Sequence, residues 1–345
     1  MNASIHPHAL LRPLILLCLG IMLLLHPGKA HAQSCSATTT SVAFGNVDVV
    51  ASSQNYSNSY SSTTANINVT CSILAIVADN RFSVCVNIQG AVGSTPRTMT
   101  GPAGSVLNYN LYSGSAPPSS PVWGAYPSTN PGPVVTNFSF LSVLILGGSS
   151  TNNVPIYGYL QSSQNTTAVP GGYTQTPTAT LSWNYANGST PVPCTSGPSG
   201  THGTSSFTLT STANVTDDCG VTATTINFGG GVGVLTSPIT ANGTITATCT
   251  NGGTNYTIAL NKGSTTGGSL SDRQMQSSSS AVVHYQLYDN SSYTTIWGDG
   301  TSGTGTQGGL ATGTGQAFTV YGRVQAQPTP APNAYSDTVT VTVSY

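Results

Sequence analysis

The chain has 345 residues, a formal net charge of −1, charged residues at only 4%, no Glu, and 39 Gly with 21 Pro. So few cations leave no basic stripe to hold phosphates, which excludes nucleic acid as a partner class. The lack of Glu leaves little for paired-carboxylate catalysis.

Leu14–Leu25, LILLCLGIMLLL, is apolar but too short to span a membrane, and the small-x-small site Ala30-His31-Ala32 follows it. Residues 1–32 therefore read as a signal peptide removed before Gln33. A lipid anchor on Cys35 is the weaker alternative, because Gln33 and Ser34 do not supply the apolar and small residues such a site uses. Solubility rests on Ser, Thr, Asn and Gly, as suits an exported surface protein. The mature chain retains Cys35, Cys71, Cys85, Cys194, Cys219 and Cys249, and this even count without a Cys-x-x-Cys pair favours disulfides over a metal or redox site. No cofactor is implied.

From Cys35 onward the same landmarks occur twice in one order. CSATTTSVAFG at Cys35 returns as CGVTATTINFG at Cys219, and ANINVTC ending at Cys71 returns as GTITATC ending at Cys249. Arg97-Thr98-Met99 matches Arg273-Gln274-Met275, Trp123-Gly124 matches Trp297-Gly298, VPIYGYLQ matches FTVYGRVQ, and the closing YTQTPTATLSWNY matches YSDTVTVTVSY. Within each copy the apolar positions have period two: Ala179, Leu181, Trp183 and Tyr185 share one strand face, as do Val339, Val341, Val343 and Tyr345. Each copy reads as a small all-β sandwich. The repeat suggests bridges Cys35–Cys71 and Cys219–Cys249, which leaves Cys85 and Cys194 for each other.

Asn137–Gly148, NFSFLSVLILGG, departs from period two. Phe138, Phe140, Leu144 and Leu146 fall on one face, while Leu141, Val143 and Ile145 load the other. A core strand covered by a neighbouring loop would account for this, and so would a hairpin anchored by one parity with an apolar finger at its tip. The second reading makes 138–146 a contact surface with Leu141, Val143 and Ile145 foremost, and adds Tyr126 and Val169 from nearby loops. Trp123 repeats as Trp297 and reads as structural. After a Pro, Gly and Ser-rich stretch at 186–205 comes SFTLTSTANV, where Phe207, Leu209, Ala213 and Val215 share a face. The first repeat has no such segment before Cys35.

Catalytic chemistry has few groups available: His202 and His284 are the mature chain's histidines, and Asp217-Asp218 is the one adjacent acidic pair. No nucleophile elbow and no dense oxygen-ligand loop is present, so the chain does not read as an enzyme.

The Cys-to-Phe-Gly openings at Cys35/Phe44-Gly45 and Cys219/Phe228-Gly229, VYGRV at Val320–Val324 and the closing YSDTVTVTVSY resemble the spore coat protein U domain family, the pilin-type domains of archaic chaperone-usher pili. The resemblance implies an immunoglobulin-like sandwich that lacks its final strand and is completed by a segment donated from a neighbour. It divides the chain into a signal peptide (1–32), an N-terminal adhesin domain (33–200), a linker with an in-cis donor strand (201–216) and a C-terminal pilin domain (217–345). With no donor segment ahead of Cys35, the expected role is a two-domain adhesin at a pilus tip that attaches to abiotic or host surfaces and supports biofilm formation. Its expected partners are a neighbouring pilin subunit, a periplasmic chaperone and an outer-membrane usher, with Val339, Val341, Val343 and Tyr345 beside the acceptor groove. A carbohydrate-binding lectin and a structural coat or pilus component are the alternatives.

Overall fold

A computed structural model describes residues 33–50, 62–74, 79–90, 95–115, 120–140, 147–230 and 234–345. The first unit contains β1 (Gln33–Thr39), β2 (Val42–Val47), β3 (Ser62–Ile73), β4 (Asn80–Ile88), β5 (Arg97–Thr100), β6 (Val106–Tyr112), β7 (Val134–Phe140), β8 (Gly148–Leu160), β9 (Gly171–Gln175), β10 (Thr178–Asn187), β11 (Thr201–Thr208) and β12 (Ser211–Val215). The second contains β13 (Cys219–Ala223), β14 (Ile239–Cys249), β15 (Asn255–Leu260), β16 (Arg273–Ser277), β17 (Val282–Tyr288), β18 (Gln307–Leu310), β19 (Gln316–Val324), β20 (Tyr335–Ser336) and β21 (Val341–Ser344).

In the first unit one sheet has the order β1-β3-β8-β6-β5-β9-β12-β2 and faces a second, β11-β10-β4-β7. The second unit repeats the plan with β13-β14-β19-β17-β16-β20 over β18-β15-β21. Alternating side chains from both sheets make each core: Ile67, Val69, Ile156 and Leu111 meet Phe82, Val84 and Leu181 in the first. Ile245, Leu287 and Val320 meet Ile258 and Leu260 in the second.

All three disulfides lie within single units. Cys35–Cys71 and Cys219–Cys249 join directly opposed residues of adjacent strands, with Cα atoms 4.1 and 4.0 Å apart. Cys85–Cys194 ties β4 to the one-turn 3-10 helix Cys194–Ser196 across 5.6 Å.

The repeated Arg and Trp form one device in each unit. Arg97, 1% exposed, donates from Nη2 to the carbonyls of Ile88 (2.8 Å) and Trp123 (2.6 Å), and from Nε to Gln89 (3.1 Å). The Trp123 indole donates to the Val86 carbonyl at 2.8 Å. Arg273 reaches Asn261 and Trp297 carbonyls in the same way, both at 2.8 Å, and Trp297 donates to Ile258 at 3.0 Å. Each arginine therefore satisfies loop carbonyls where the two sheets meet, and each tryptophan is a core residue at 0% exposure.

SFTLTSTANV is not one strand. Residues Thr201–Thr208 extend the smaller sheet as β11, antiparallel to β10, and the chain crosses at Leu209-Thr210 to enter the larger sheet as β12. Leu209 fills the crossing at 0% exposure, Ala213 and Val215 point inward at 6% and 2%, and Phe207 packs on the core edge. Period two continues through the crossing because both sheets present their inner faces to one core. Residues 201–208 are thus an edge strand of the first sandwich as well as a connection.

Candidate functional site

β12 occupies a slot between β9 and β2. It runs antiparallel to β9, pairing Ala213 with Tyr173 and Val215 with Gly171, and parallel to β2, pairing Ser211 with Val42 and Val215 with Val47. Beneath it, Val42, Phe44, Met99 and Tyr173 are 0%, 7%, 0% and 2% exposed. Their repeat counterparts Ile226, Phe228, Met275 and Tyr335 are only half-buried. Between the counterparts of β2 and β9 the second unit has a groove of about 1180 Å³, lined on one side by 223–230 and on the other by 329–339. Its floor includes Leu287, Val320 and Val324.

Glycine sets the shape of both slots. A Cβ at Gly158 would lie 2.6 Å from Val42 Cγ1, and one at Gly322 would lie 2.8 Å from Phe228 Cζ, so the central strand must lack a side chain for its neighbour to cross. Gly45 and Gly229 follow the two phenylalanines with φ of +70° and +87°, a region that favours glycine and turns the chain along the slot.

One wall of the open groove is fixed by Asp337. Its Oδ2 accepts from Tyr285 Oη at 2.7 Å, and its Oδ1 accepts from the backbone N–H groups of Ser264 (2.8 Å), Thr265 (3.2 Å) and Thr338 (2.9 Å). Burial works against the charged carboxylate, but the hydroxyl and amide donors outweigh it and hold Asp337 below its ordinary range. Burial and the neighbouring carboxylate push the Tyr285 phenol up. In the first unit Tyr109 donates to Gln175 at the equivalent place, so a neutral amide there corresponds to a carboxylate in the groove. Asp337 was visible within YSDTVTVTVSY, but its role depends on contacts with 264–265 and Tyr285 that no local pattern encodes.

The expected residues of the final strand separate. Val339 and Val341 line the groove. Val343 lies opposite Ile258 in the smaller sheet, and Tyr345 donates to Asp218 Oδ1 at 3.1 Å.

The expected contact surface in the first unit also separates. Phe138 and Phe140, 3% and 8% exposed, are core residues: Phe138 lies opposite Phe82, and Phe140 meets Phe82 edge-on at 5.9 Å between centroids. They anchor β7 and do not belong on a contact surface, because both occupy its inward parity. Leu141, Val143, Leu144, Ile145 and Leu146 lie outside the described residues. Tyr126, 39% exposed, sits by Asn87, whereas Phe140 sits by Asn80. Seven strand steps separate these positions, roughly 20 Å, so Tyr126 is at the other end of the sandwich. Val169 is held by Tyr173 Oη, which donates to its carbonyl at 2.9 Å.

Phe140 and Gly147 bracket 141–146; Gly147 lies against the backbone of Ile73 and Leu74, and Leu74 is 59% exposed. The register places this end opposite the second unit. β8 begins here, with Gly148 paired to Ile73, and finishes at Leu160, just before the 161–170 loop that touches the second unit. In the second unit, the positions matching Ile73, Leu74 and 141–146 are Asn251, Gly252 and the 311–315 turn, and these meet the first unit. The same end of the sandwich is therefore polar and docked in one copy, and carries an exposed Leu74 in the other.

The two histidines do not share a site. His202 Nδ1 lies 2.9 Å from the Gly200 carbonyl and His284 Nδ1 lies 2.7 Å from Asp272 Oδ1, each in an exposed setting. Among the described residues, no three His, Cys, Asp or Glu gather as they would to hold a metal.

A sequence profile for the Spore Coat Protein U domain matches residues 23–180 and again residues 204–342. The chain belongs to the Spore Coat Protein U domain family. No curated protein matches it. Similar solved structures include a chain of the CsuC–CsuE chaperone–tip adhesion subunit pre-assembly complex from archaic chaperone-usher Csu pili of Acinetobacter baumannii (18% identity, 90% of this chain and 100% of that one, TM-score 0.49). The CupB6 tip adhesin of Pseudomonas aeruginosa (10%, 90% and 94%, 0.34) and CfaE, the adhesive subunit of CFA/I fimbria of enterotoxigenic Escherichia coli (9%, 88% and 92%, 0.25), are also similar. Both profile matches end inside the closing strand motif, so this Spore Coat Protein U chain carries the domain in tandem. The second match begins within β11 and includes β12, which assigns that strand by sequence to the second domain although it folds into the first.

Proposed function

We propose that this protein is an adhesin of an archaic chaperone-usher pilus, exported through the periplasm to the cell surface and placed at the fibre tip. Residues 201–216 act as an in-cis donor that completes the N-terminal domain. The C-terminal domain accepts a strand from a periplasmic chaperone and then from a neighbouring pilin. The observation that carries this reading is the contrast between two copies of one slot: β12 covers Val42, Phe44 and Tyr173, whereas Ile226, Phe228 and Tyr335 border an open groove. An extended segment with alternating apolar residues would bury those side chains and satisfy the facing edges.

Adhesion is assigned to the end of the N-terminal domain remote from the C-terminal one, with Leu141, Val143 and Ile145 as contacts to an apolar surface. Support comes from exposed Leu74 beside that end and from the bracketing positions of Phe140 and Gly147.

The test is to add a synthetic peptide of residues 206–216 to the mature chain and follow thermal unfolding of each domain. Donor complementation predicts a higher unfolding temperature for the C-terminal domain alone, lost in Val341→Asp. A C-terminal domain that gains no stability and protects Phe228 without peptide would overturn the reading. Immunogold labelling of fibres then separates a tip subunit from one repeated along the shaft.

A further inference from the structure

We infer that the junction between the two domains is the template for the junction between the C-terminal domain and the next pilin: the 329–334 rim of the groove seats that pilin's counterparts of Asn251, Gly252 and Gly313. This rests on the donor-strand reading above and adds a second, surface-to-surface contact to it.

The existing junction is a built interface. β12 ends at Val215 and β13 begins at Cys219, and the residues between are tied at both ends. Thr216 N–H donates to the Val47 carbonyl at 3.0 Å, while Thr250, 0% exposed, receives Asp218 N–H on Oγ1 at 3.2 Å and donates its own N–H to the Asp218 carbonyl at 2.9 Å. Beside this bridge the 161–170 loop of the first domain receives the second. Asn165 Nδ2 donates to the Gly313 carbonyl at 2.6 Å, and Asn251 Nδ2 donates to the Thr166 carbonyl at 2.7 Å. Gly313 has φ +75°, and a Cβ there would lie 2.0 Å from the Asn165 carbonyl oxygen, so the approach requires glycine.

The receiving loop is held by two pegs, and both recur in the C-terminal domain. Gln164 bridges the backbone of Asn108, accepting its N–H on Oε1 at 2.5 Å and donating from Nε2 to its carbonyl at 3.0 Å. Gln327 bridges His284 identically, at 3.0 and 2.9 Å. Tyr173 Oη donates to the Val169 carbonyl at 2.9 Å, and Tyr335 Oη donates to Ala331 at 2.6 Å. The loop between the pegs is one residue shorter in the C-terminal domain; counted from the Gln peg, Thr329 takes the place of Thr166, is exposed, and stands on the groove rim. A strand entering the groove in the manner of β12 would bring the body of its own domain onto Thr329, because so short a connection leaves little room for any other placement.

A concatemer tests this with the protein's own parts: residues 33–345 followed by a second copy of 184–345, with Cys194→Ser in the appended copy. Its internal C-terminal domain can be completed by the appended β12. Thr329→Cys in that domain and Asn251→Cys in the appended copy should be joined by a short bismaleimide to the same extent as a Thr166→Cys, Asn251→Cys pair in the ordinary chain. A raised unfolding temperature of the internal domain without the crosslink overturns the junction while leaving strand donation intact. No rise in temperature and no crosslink overturns both, and a crosslink that persists when Val215→Asp in the appended copy abolishes the temperature rise shows contact independent of the strand and also overturns the inference.

Discussion

The Arg97 guanidinium donates at 2.6 Å to the carbonyl of Trp123, and the Trp123 indole donates at 2.8 Å to Val86 on the facing sheet, so the two side chains close the sandwich from both sides. Burial lowers the Arg97 pKa to about 10, which leaves the side chain charged at neutral pH, and the carbonyl dipoles of Ile88, Gln89 and Trp123 replace its lost water. Arg97→Met strips these acceptors of their donor and should destabilise the N-terminal domain by about 3 kcal/mol, whereas Trp123→Phe loses the indole donor and some volume. Urea titration of the mature chain checks this. An Arg97→Met domain as stable as the parent would deny the bracket its role.

Much of the architecture was legible because β-sandwiches write their inner faces with period two. Arg97, Arg273, Trp123 and Trp297 marked equivalent positions before any strand was placed, and the paired opening cysteines of each repeat face one another in adjacent strands. The crossing at Leu209 was not legible, because the inward parity of Phe207, Leu209, Ala213 and Val215 is the same whether the chain stays in one sheet or changes sheets. Phe138 and Phe140 were hard for the opposite reason: an apolar run reads alike as core or as surface until a partner such as Phe82 is known. The Asp337 network joins residues far apart in sequence and leaves no periodic trace.

β12 supplies the second prediction. Leu209 is 0% exposed at the point where the chain passes between sheets, so Leu209→Ala should cost the N-terminal domain about 2–5 kcal/mol through lost burial and a residual cavity. Val215→Asp should do more, placing a carboxylate against the inner face beside Val47 and expelling β12. Limited proteolysis reads the difference: cleavage within 209–218 should be fast in Val215→Asp and slow in the parent. Equal protection of both would mean that β12 is not held by its apolar face.

Acid should act on the C-terminal domain through Asp337. Its folded pKa is depressed, so the carboxylate contributes stability that is fully present above the unfolded value of about 4 and is lost as pH falls through the depressed folded value. The C-terminal unfolding temperature should therefore decline below about pH 4, and Asp337→Asn should flatten that decline while lowering stability at neutral pH. Calorimetry of the mature chain and the variant from pH 7 downward checks the sign. An unchanged acid slope in Asp337→Asn would assign it to other carboxylates.

The last prediction separates anchoring from contact at the end of the N-terminal domain. Phe140 is 8% exposed and packs edge-on against Phe82, so Phe140→Ser should unfold or strongly destabilise the domain and abolish attachment only as a consequence. Replacing Leu141, Val143 and Ile145 together by Ser should leave the N-terminal unfolding temperature near that of the parent and still abolish attachment of piliated cells to polystyrene. The two variants then differ in stability while agreeing in phenotype, which a purely structural role for 141–146 does not allow. If the triple variant attaches normally, or loses attachment only in step with a fall in stability, the adhesive surface lies elsewhere on the domain. A glycan array run on the same parent protein reports whether that surface is a sugar site.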